Sequence, residues 1–110
     1  IVSCMAQNGD VLSPKDFKSK MSLPATVLDV RSVNEFKSGH LENALNIDIN
    51  DDQFESRGNQ LDKSKPVLIY CFTGVRSKKA GQILRKKGFT VLELKAVIDA
   101  WLKTGLPVFK

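Results

Sequence analysis

The sequence predicts an α/β fold, an open and mainly parallel sheet covered by helices on both faces. Short apolar runs alternate along the chain with amphipathic helical patterns, the order that builds such sheets. The runs are apolar at consecutive positions, as expected of strands buried on both sides. At 110 residues, 42% hydrophobic and 26% charged, the chain has the size and composition of one compact domain.

Each element has its own local reason. Asn8-Gly9-Asp10 is a turn signal, so residues 1–12 read as a leader and 13–110 as the single domain. Ser13-Pro14-Lys15-Asp16 opens a short helix, with a Ser cap, Pro at the first helical position and an acid in the first turn; it ends near Ser22-Leu23-Pro24. Val27 to Val30 is a strand. Ser32-Val33-Asn34-Glu35 fits a capping box, and Gly39 should stop that helix after about Ser38. Ala44 to Ile47 is a second strand, and Asp51 to Glu55 makes one helical turn. Val67 to Tyr70, following Pro66, is the strongest strand. A tight loop, Cys71 to Val75, leads into a helix from Ser77 to Lys87 with Ala80, Ile83 and Leu84 on one face. Val91 to Leu94 is the next strand. A last helix, Val97 to Lys103, ends at Gly105 and Pro107 and should bury Trp101.

Charge is distributed unevenly. Residues 1–55 hold five Lys/Arg against nine Asp/Glu, a net of −4, and residues 56–110 hold twelve against three, a net of +9. The sum is the chain's +5. Two clusters dominate, Arg76, Lys78 and Lys79, then Arg85, Lys86 and Lys87. They suit a solvated helix face or a field that attracts an anion. With one Tyr and one Trp, and no aromatics among the basic residues, a nucleic-acid stacking platform is not expected. No apolar run reaches the ~18–20 residues of a membrane span. Two cysteines and one histidine, far apart, lack zinc spacing, and no Gly-rich nucleotide loop is present, so neither metal nor cofactor is expected.

Ligand sites of open α/β sheets lie beyond the carboxyl ends of the strands, and Cys71 stands there, between the strongest strand and a helix. A backbone that curls through this loop would aim successive N–H groups inward as an anion-binding concavity. The positive end of the following helix and the charge of Arg76 would add to it. All three favour a thiolate at Cys71 and would also hold a negatively charged sulfur attached to it. The same position equally suits a small buried cysteine with no chemistry.

Cys71-Phe72-Thr73-Gly74-Val75-Arg76-Ser77 resembles the Cys-x-x-Gly-x-Arg-Ser active-site loop of the rhodanese family. Leu28-Asp29-Val30-Arg31, Glu35-Phe36, Gly39-His40-Leu41 and Ala44 resemble that family's first signature, and Ala100-Trp101 with Gly105-Leu106-Pro107-Val108 its C-terminal one. The resemblance implies a three-layer fold with about five short strands. It also implies a sulfurtransferase: Cys71 would take a sulfane sulfur from thiosulfate or a related anionic donor as a persulfide. A thiol, or cyanide in the test tube, would remove it. On this reading the amides from Phe72 to Arg76 (Phe72, Thr73, Gly74, Val75, Arg76) cradle the terminal sulfur. Arg76 would contact the donor's anionic group. Asp29, Arg31 and Ser77 brace the loop, and His40 is a turn residue rather than a catalytic base. Two departures stand out: Lys95-Ala96 replaces a frequent Gly pair, and Asn43 replaces a frequent Gly before Ala44.

Other readings compete. A phosphatase or arsenate reductase on the same fold resembles this loop but uses Cys-x5-Arg, one residue longer than the Cys-x4-Arg found here. A rhodanese-like domain can also serve as a non-catalytic binding or sulfur-carrier module. Ile1-Val2-Ser3-Cys4 resembles the end of a bacterial lipoprotein signal, and Met5-Ala6-Gln7 that of a secretory one, against an arbitrary chain start. The export reading implies a periplasmic location or a lipid anchor at Cys4, the alternative being the cytoplasm. One domain of this size can work as a monomer.

Overall fold

The computed structural model describes residues 11–71 and 74–94. In chain order the elements are β1 (Val11–Leu12), α1 (Pro14–Met21), β2 (Thr26–Asp29), α2 (Val33–Ser38), β3 (Leu45–Asn46), α3 (Phe54–Gly58), β4 (Val67–Tyr70), α4 (Val75–Lys86) and β5 (Val91–Leu94). The strands form one five-stranded sheet in the order β1-β5-β4-β2-β3, with every pairing parallel. The fold is α/β, as the sequence predicts. The predicted helix from Val97 to Lys103 and the Lys95-Ala96 departure lie outside the described residues.

Strand alternation divides the core between the two faces of the sheet. Val67, Ile69 and Cys71 from β4 and its exit pack with Leu28 and Val30, with Phe54 of α3, and with Ala80 and Leu84 of α4. Leu68 and Tyr70 point the other way, onto Phe17 of α1, Val27, Leu41 and Leu94. Cys71 therefore continues the pattern of β4 onto the face that α4 covers. β4 is central in the sheet, and its four residues and Cys71 are all buried.

Local caps act where the sequence places them. Ser13 Oγ accepts the Asp16 N–H at 3.2 Å, with Pro14 at the start of α1. At α2, Ser32 Oγ accepts the Glu35 N–H at 3.2 Å while Glu35 Oε1 accepts the Ser32 N–H at 3.1 Å, a complete capping box.

Several boundaries differ from expectation, three of them with a clear cause. Val11 and Leu12, assigned to the leader, pair with Glu93 and Leu94 as the sheet's edge strand. α3 begins at Phe54 rather than Asp51 because the Asp51 carboxylate accepts the Gln53 N–H at 2.8 Å, making a side-chain turn ahead of the helix. α4 begins at Val75, two residues before Ser77. Gly74, at φ 89° in the left-handed region, makes the turn and leaves Val75 and Arg76 already helical.

Candidate active site

The Cys71 sulfur sits at the mouth of α4 and collects donors from it. The Gly74 N–H donates to Sγ at 2.9 Å and the Ser77 N–H at 3.3 Å. The thiol donates to Ser77 Oγ at 3.4 Å, and that hydroxyl donates to the Gly74 carbonyl oxygen at 3.2 Å. Cys71 is 1% exposed, so access to its sulfur is narrow. The turn at Gly74 produces this convergence. It folds the chain back so that the first turn of α4, whose N–H groups have no partners within the helix, faces the residue that ends β4. Such amides can hold an anionic sulfur or a charged atom bonded to it.

Ser77, placed in a supporting role from sequence, is thus in direct contact with the sulfur. Gly74 contributes both its φ and its N–H. Phe72 and Thr73 lie outside the described residues. Val75 is 73% exposed at the surface beside the loop.

Arg76 has a partner that the sequence did not show. Its guanidinium is engaged by Glu35, with Nη1 donating to Oε1 at 2.8 Å and Nη2 to Oε2 at 3.0 Å. This fork-to-fork pair bridges α2 to the first turn of α4. The hydrogen bond from Arg76, with those from Ser32, outweighs partial burial and holds the Glu35 carboxyl at about 2. Glu35 appeared in the sequence only as a capping-box residue and part of a resemblance. Its second partner lies 41 positions away, and nothing local marks it.

Asp29 and Arg31 form a buried pair at the exit of β2. Asp29 Oδ1 accepts the Arg31 backbone N–H at 2.8 Å, and Oδ2 accepts Nη2 at 2.8 Å. Nη2 also donates to the Gly39 carbonyl oxygen at 2.6 Å, and Asn46 Nδ2 donates to the carbonyl oxygens of Asp29 and Arg31 at 3.0 and 2.9 Å. Burial opposes the charge of Arg31, but Asp29 more than offsets it, so its pKa is raised. The pair touches the site through Tyr70, which precedes Cys71. The Val30 N–H donates to the Tyr70 carbonyl oxygen at 3.2 Å, and the Arg31 guanidinium lies 5.7 Å from the Tyr70 ring centroid.

His40 is a turn residue, as expected. Its Nδ1 is 2.9 Å from the Phe36 carbonyl oxygen, and its ring stacks on Phe36 with centroids 3.8 Å apart. Asn43 takes φ 62°, so the turn before Ala44 keeps a left-handed residue where a Gly is frequent. Asn tolerates that region better than most side chains. A cleft of about 280 Å³ lies on the α1 side, lined by Lys18, Met21, Ala25, Val27, Glu42 and Asn43; none of these belongs to the Cys71 loop. Among the described residues there is no cluster of side chains able to hold a metal ion, and no helix is long and apolar enough to cross a membrane.

A strand-terminal cysteine cradled by a helix N-terminus, on a five-stranded parallel sheet, defines a class of proteins. The rhodanese-like domain family model matches residues 13–104, and the chain belongs to that family. Its relatives are diverse. It is 42% identical over 78 residues to the Bacillus subtilis protein YqhL, covering 70% of this chain and 60% of that one. It is 32% identical over 76 residues to the thiosulfate sulfurtransferase GlpE of Shewanella oneidensis, covering 68% and 73%. It is also 36% identical over 92 residues to the tRNA uridine(34) hydroxylase of Chlamydia felis, covering 77% of this chain but 28% of that enzyme. Among solved structures, a rhodanese-related protein from Thermoplasma volcanium superposes with a TM-score of 0.81 at 27% identity, covering 90% of this chain and 96% of that one. The rhodanese-like domain of an Anabaena protein gives 0.80 at 28% identity, covering 91% and 78%.

Proposed function

We propose that this chain is a sulfurtransferase that carries a sulfane sulfur as a persulfide on Cys71. The observation that carries the reading is the convergence of the Gly74 and Ser77 N–H groups on Sγ. With thiosulfate as donor, the Cys71 thiolate attacks the outer sulfur. One S–S bond forms, the bond to the sulfonate sulfur breaks, and sulfite leaves with that electron pair. A thiolate or cyanide then attacks the terminal sulfur, leaves with it as a persulfide or thiocyanate, and returns Cys71 as thiolate. From the thiolate onward no proton need move and no outside oxidant is consumed, consistent with His40 being occupied by Phe36.

In each half-reaction the developing charge lies on sulfur bound to or leaving Cys71. Donors held by the backbone are in place before the reaction and need no reorganisation. Similarity to GlpE supports thiosulfate as one donor. Similarity to a segment of a much longer hydroxylase leaves room for the domain to work within a larger protein.

Cys71→Ser should abolish turnover with thiosulfate and cyanide while leaving the thermal unfolding midpoint within a few degrees, because the volume changes little. Exposure of the intact protein to thiosulfate should add ~32 Da, one sulfur, to the wild type and nothing to the variant. Retained activity in Cys71→Ser would remove the cysteine from the mechanism.

A further inference from the structure

The Ser77 hydroxyl has one proton and two acceptors within reach. Its oxygen lies 3.2 Å from the Gly74 carbonyl oxygen, to which it donates, and 3.4 Å from Cys71 Sγ, whose thiol donates to it. Both residues are buried, away from bulk water. The direction of the bond between Sγ and Oγ depends on the charge of the sulfur. While Cys71 carries a proton, the sulfur donates to the hydroxyl and the hydroxyl donates to Gly74. Once Cys71 is a thiolate, the sulfur has no proton to donate and is the stronger acceptor. The hydroxyl is free to rotate, so it turns to the sulfur. The Gly74 carbonyl oxygen then keeps a partner, because it also accepts the Lys78 N–H at 3.2 Å. In a persulfide the charge sits one atom further out, on the terminal sulfur, and Sγ no longer bears it. The turned hydroxyl therefore favours one state of the cysteine over the other.

We infer that the Ser77 hydroxyl is a catalytic group that stabilises the Cys71 thiolate in preference to the persulfide, so that the site gives its sulfur up rather than storing it. The inference rests on the persulfide reading above and, within it, selects turnover over sulfur carriage. In sulfur release the acceptor attacks the terminal sulfur, the S–S bond to Sγ breaks, and Sγ leaves with the electron pair. The Ser77 proton stays on its oxygen throughout and meets the charge as it arrives on Sγ.

The test is an equilibrium between the two states. Thiosulfate loads the cysteine and releases sulfite; sulfite attacks the terminal sulfur of the persulfide and departs as thiosulfate, the same step reversed. The two anions are held at a fixed ratio at pH 10, above the ordinary thiol value of about 8.5. The share of intact protein that carries an extra ~32 Da then reads the balance of persulfide and thiolate. Ser77→Ala removes only the hydroxyl oxygen, keeps the N–H that donates to Sγ, and places a good helix former in the first turn of α4. It should raise the persulfide-to-thiolate ratio about five- to ten-fold, the worth of a hydrogen bond to a charged sulfur less that of the bond to Gly74 it replaces. Ser77→Thr keeps the hydroxyl and should stay within about two-fold of the wild type. A loop merely loosened by the alanine would hold the persulfide less well and lower the ratio, so the sign separates the two roles. An unchanged or lower ratio in Ser77→Ala, or an equal rise in Ser77→Thr, overturns the inference. Absence of any mass gain in the wild type overturns the persulfide reading itself, and this inference with it.

Discussion

Tyr70 shows how one side chain can serve two structures. Its ring belongs to the core on the α1 side, and its hydroxyl accepts the Leu41 N–H at 3.0 Å. Burial, with the nearby Asp29 charge, pushes the phenol's pKa well above its ordinary value, so it stays neutral. Tyr70→Phe would keep the ring and strip the Leu41 N–H of its partner in a buried place. The expected cost is about 1–3 kcal/mol, the penalty for an unsatisfied buried donor, read by urea unfolding. Because Tyr70 immediately precedes Cys71, sulfur transfer should fall only if that loss disturbs the exit of β4. A Tyr70→Phe variant of unchanged stability would mean that water replaces the hydroxyl at Leu41.

At the scale of elements, α4 does most to make the site, since its first turn supplies the N–H groups and its underside closes one face of the core. Its body is anchored to β5, where Arg85 pairs with Glu93 at 3.1 Å and donates to the Val91 carbonyl oxygen at 3.0 Å. Gly81 lies buried in mid-helix facing that strand. A methyl group there would meet Glu93 Oε2 and Val91 Cγ1 at 3.4 Å, ordinary contact distance. Gly81→Ala should therefore stabilise the protein by about 0.5–1 kcal/mol through helix propensity, seen as a higher unfolding midpoint. Destabilisation would show that α4 packs on β5 more tightly than these distances allow. Gly58 in α3 differs, because a methyl group there would come within 3.1 Å of Leu84 Cδ2.

For the whole molecule, the Glu35–Arg76 pair ties the β2–α2 side of the fold to the β4–α4 side. Folding lowers the Glu35 carboxyl from 4.5 to about 2, chiefly through Arg76. The stabilisation is therefore fully present above pH 4.5 and is lost as pH falls through that value toward 2. Solvent screening at a pair this exposed leaves it worth about 0.5–1 kcal/mol. Glu35→Gln should show a shallower loss of stability between pH 4.5 and 2 than the wild type, measured by denaturant unfolding at each pH. Identical slopes would mean that the pair adds nothing to folding. The basic balance of the second half is likewise tempered across the molecule, since Lys87 pairs with Glu55 of the first half at 3.3 Å.

What could be read from the sequence alone was local. The Ser13-Pro14 start of α1, the Ser32–Glu35 capping box, the buried run Val67 to Tyr70 and the place of Cys71 at its end all depend on residues within four positions of each other. Backbone sterics and hydrogen-bond demand act over that range, so the pattern of residue types is enough. The fold class followed from the alternation of such pieces. Residues far apart in sequence had to meet before the rest was decided. Val11 and Leu12 became a strand only because β5 lay open to pair with them, and two residues carry no periodicity of their own. Arg76 meets Glu35 because the parallel pairing of β2 with β4 brings the starts of the helices that follow them to the same edge of the sheet. A side chain's partner depends on where the sheet delivers it, and strand order is not written in any short stretch of sequence.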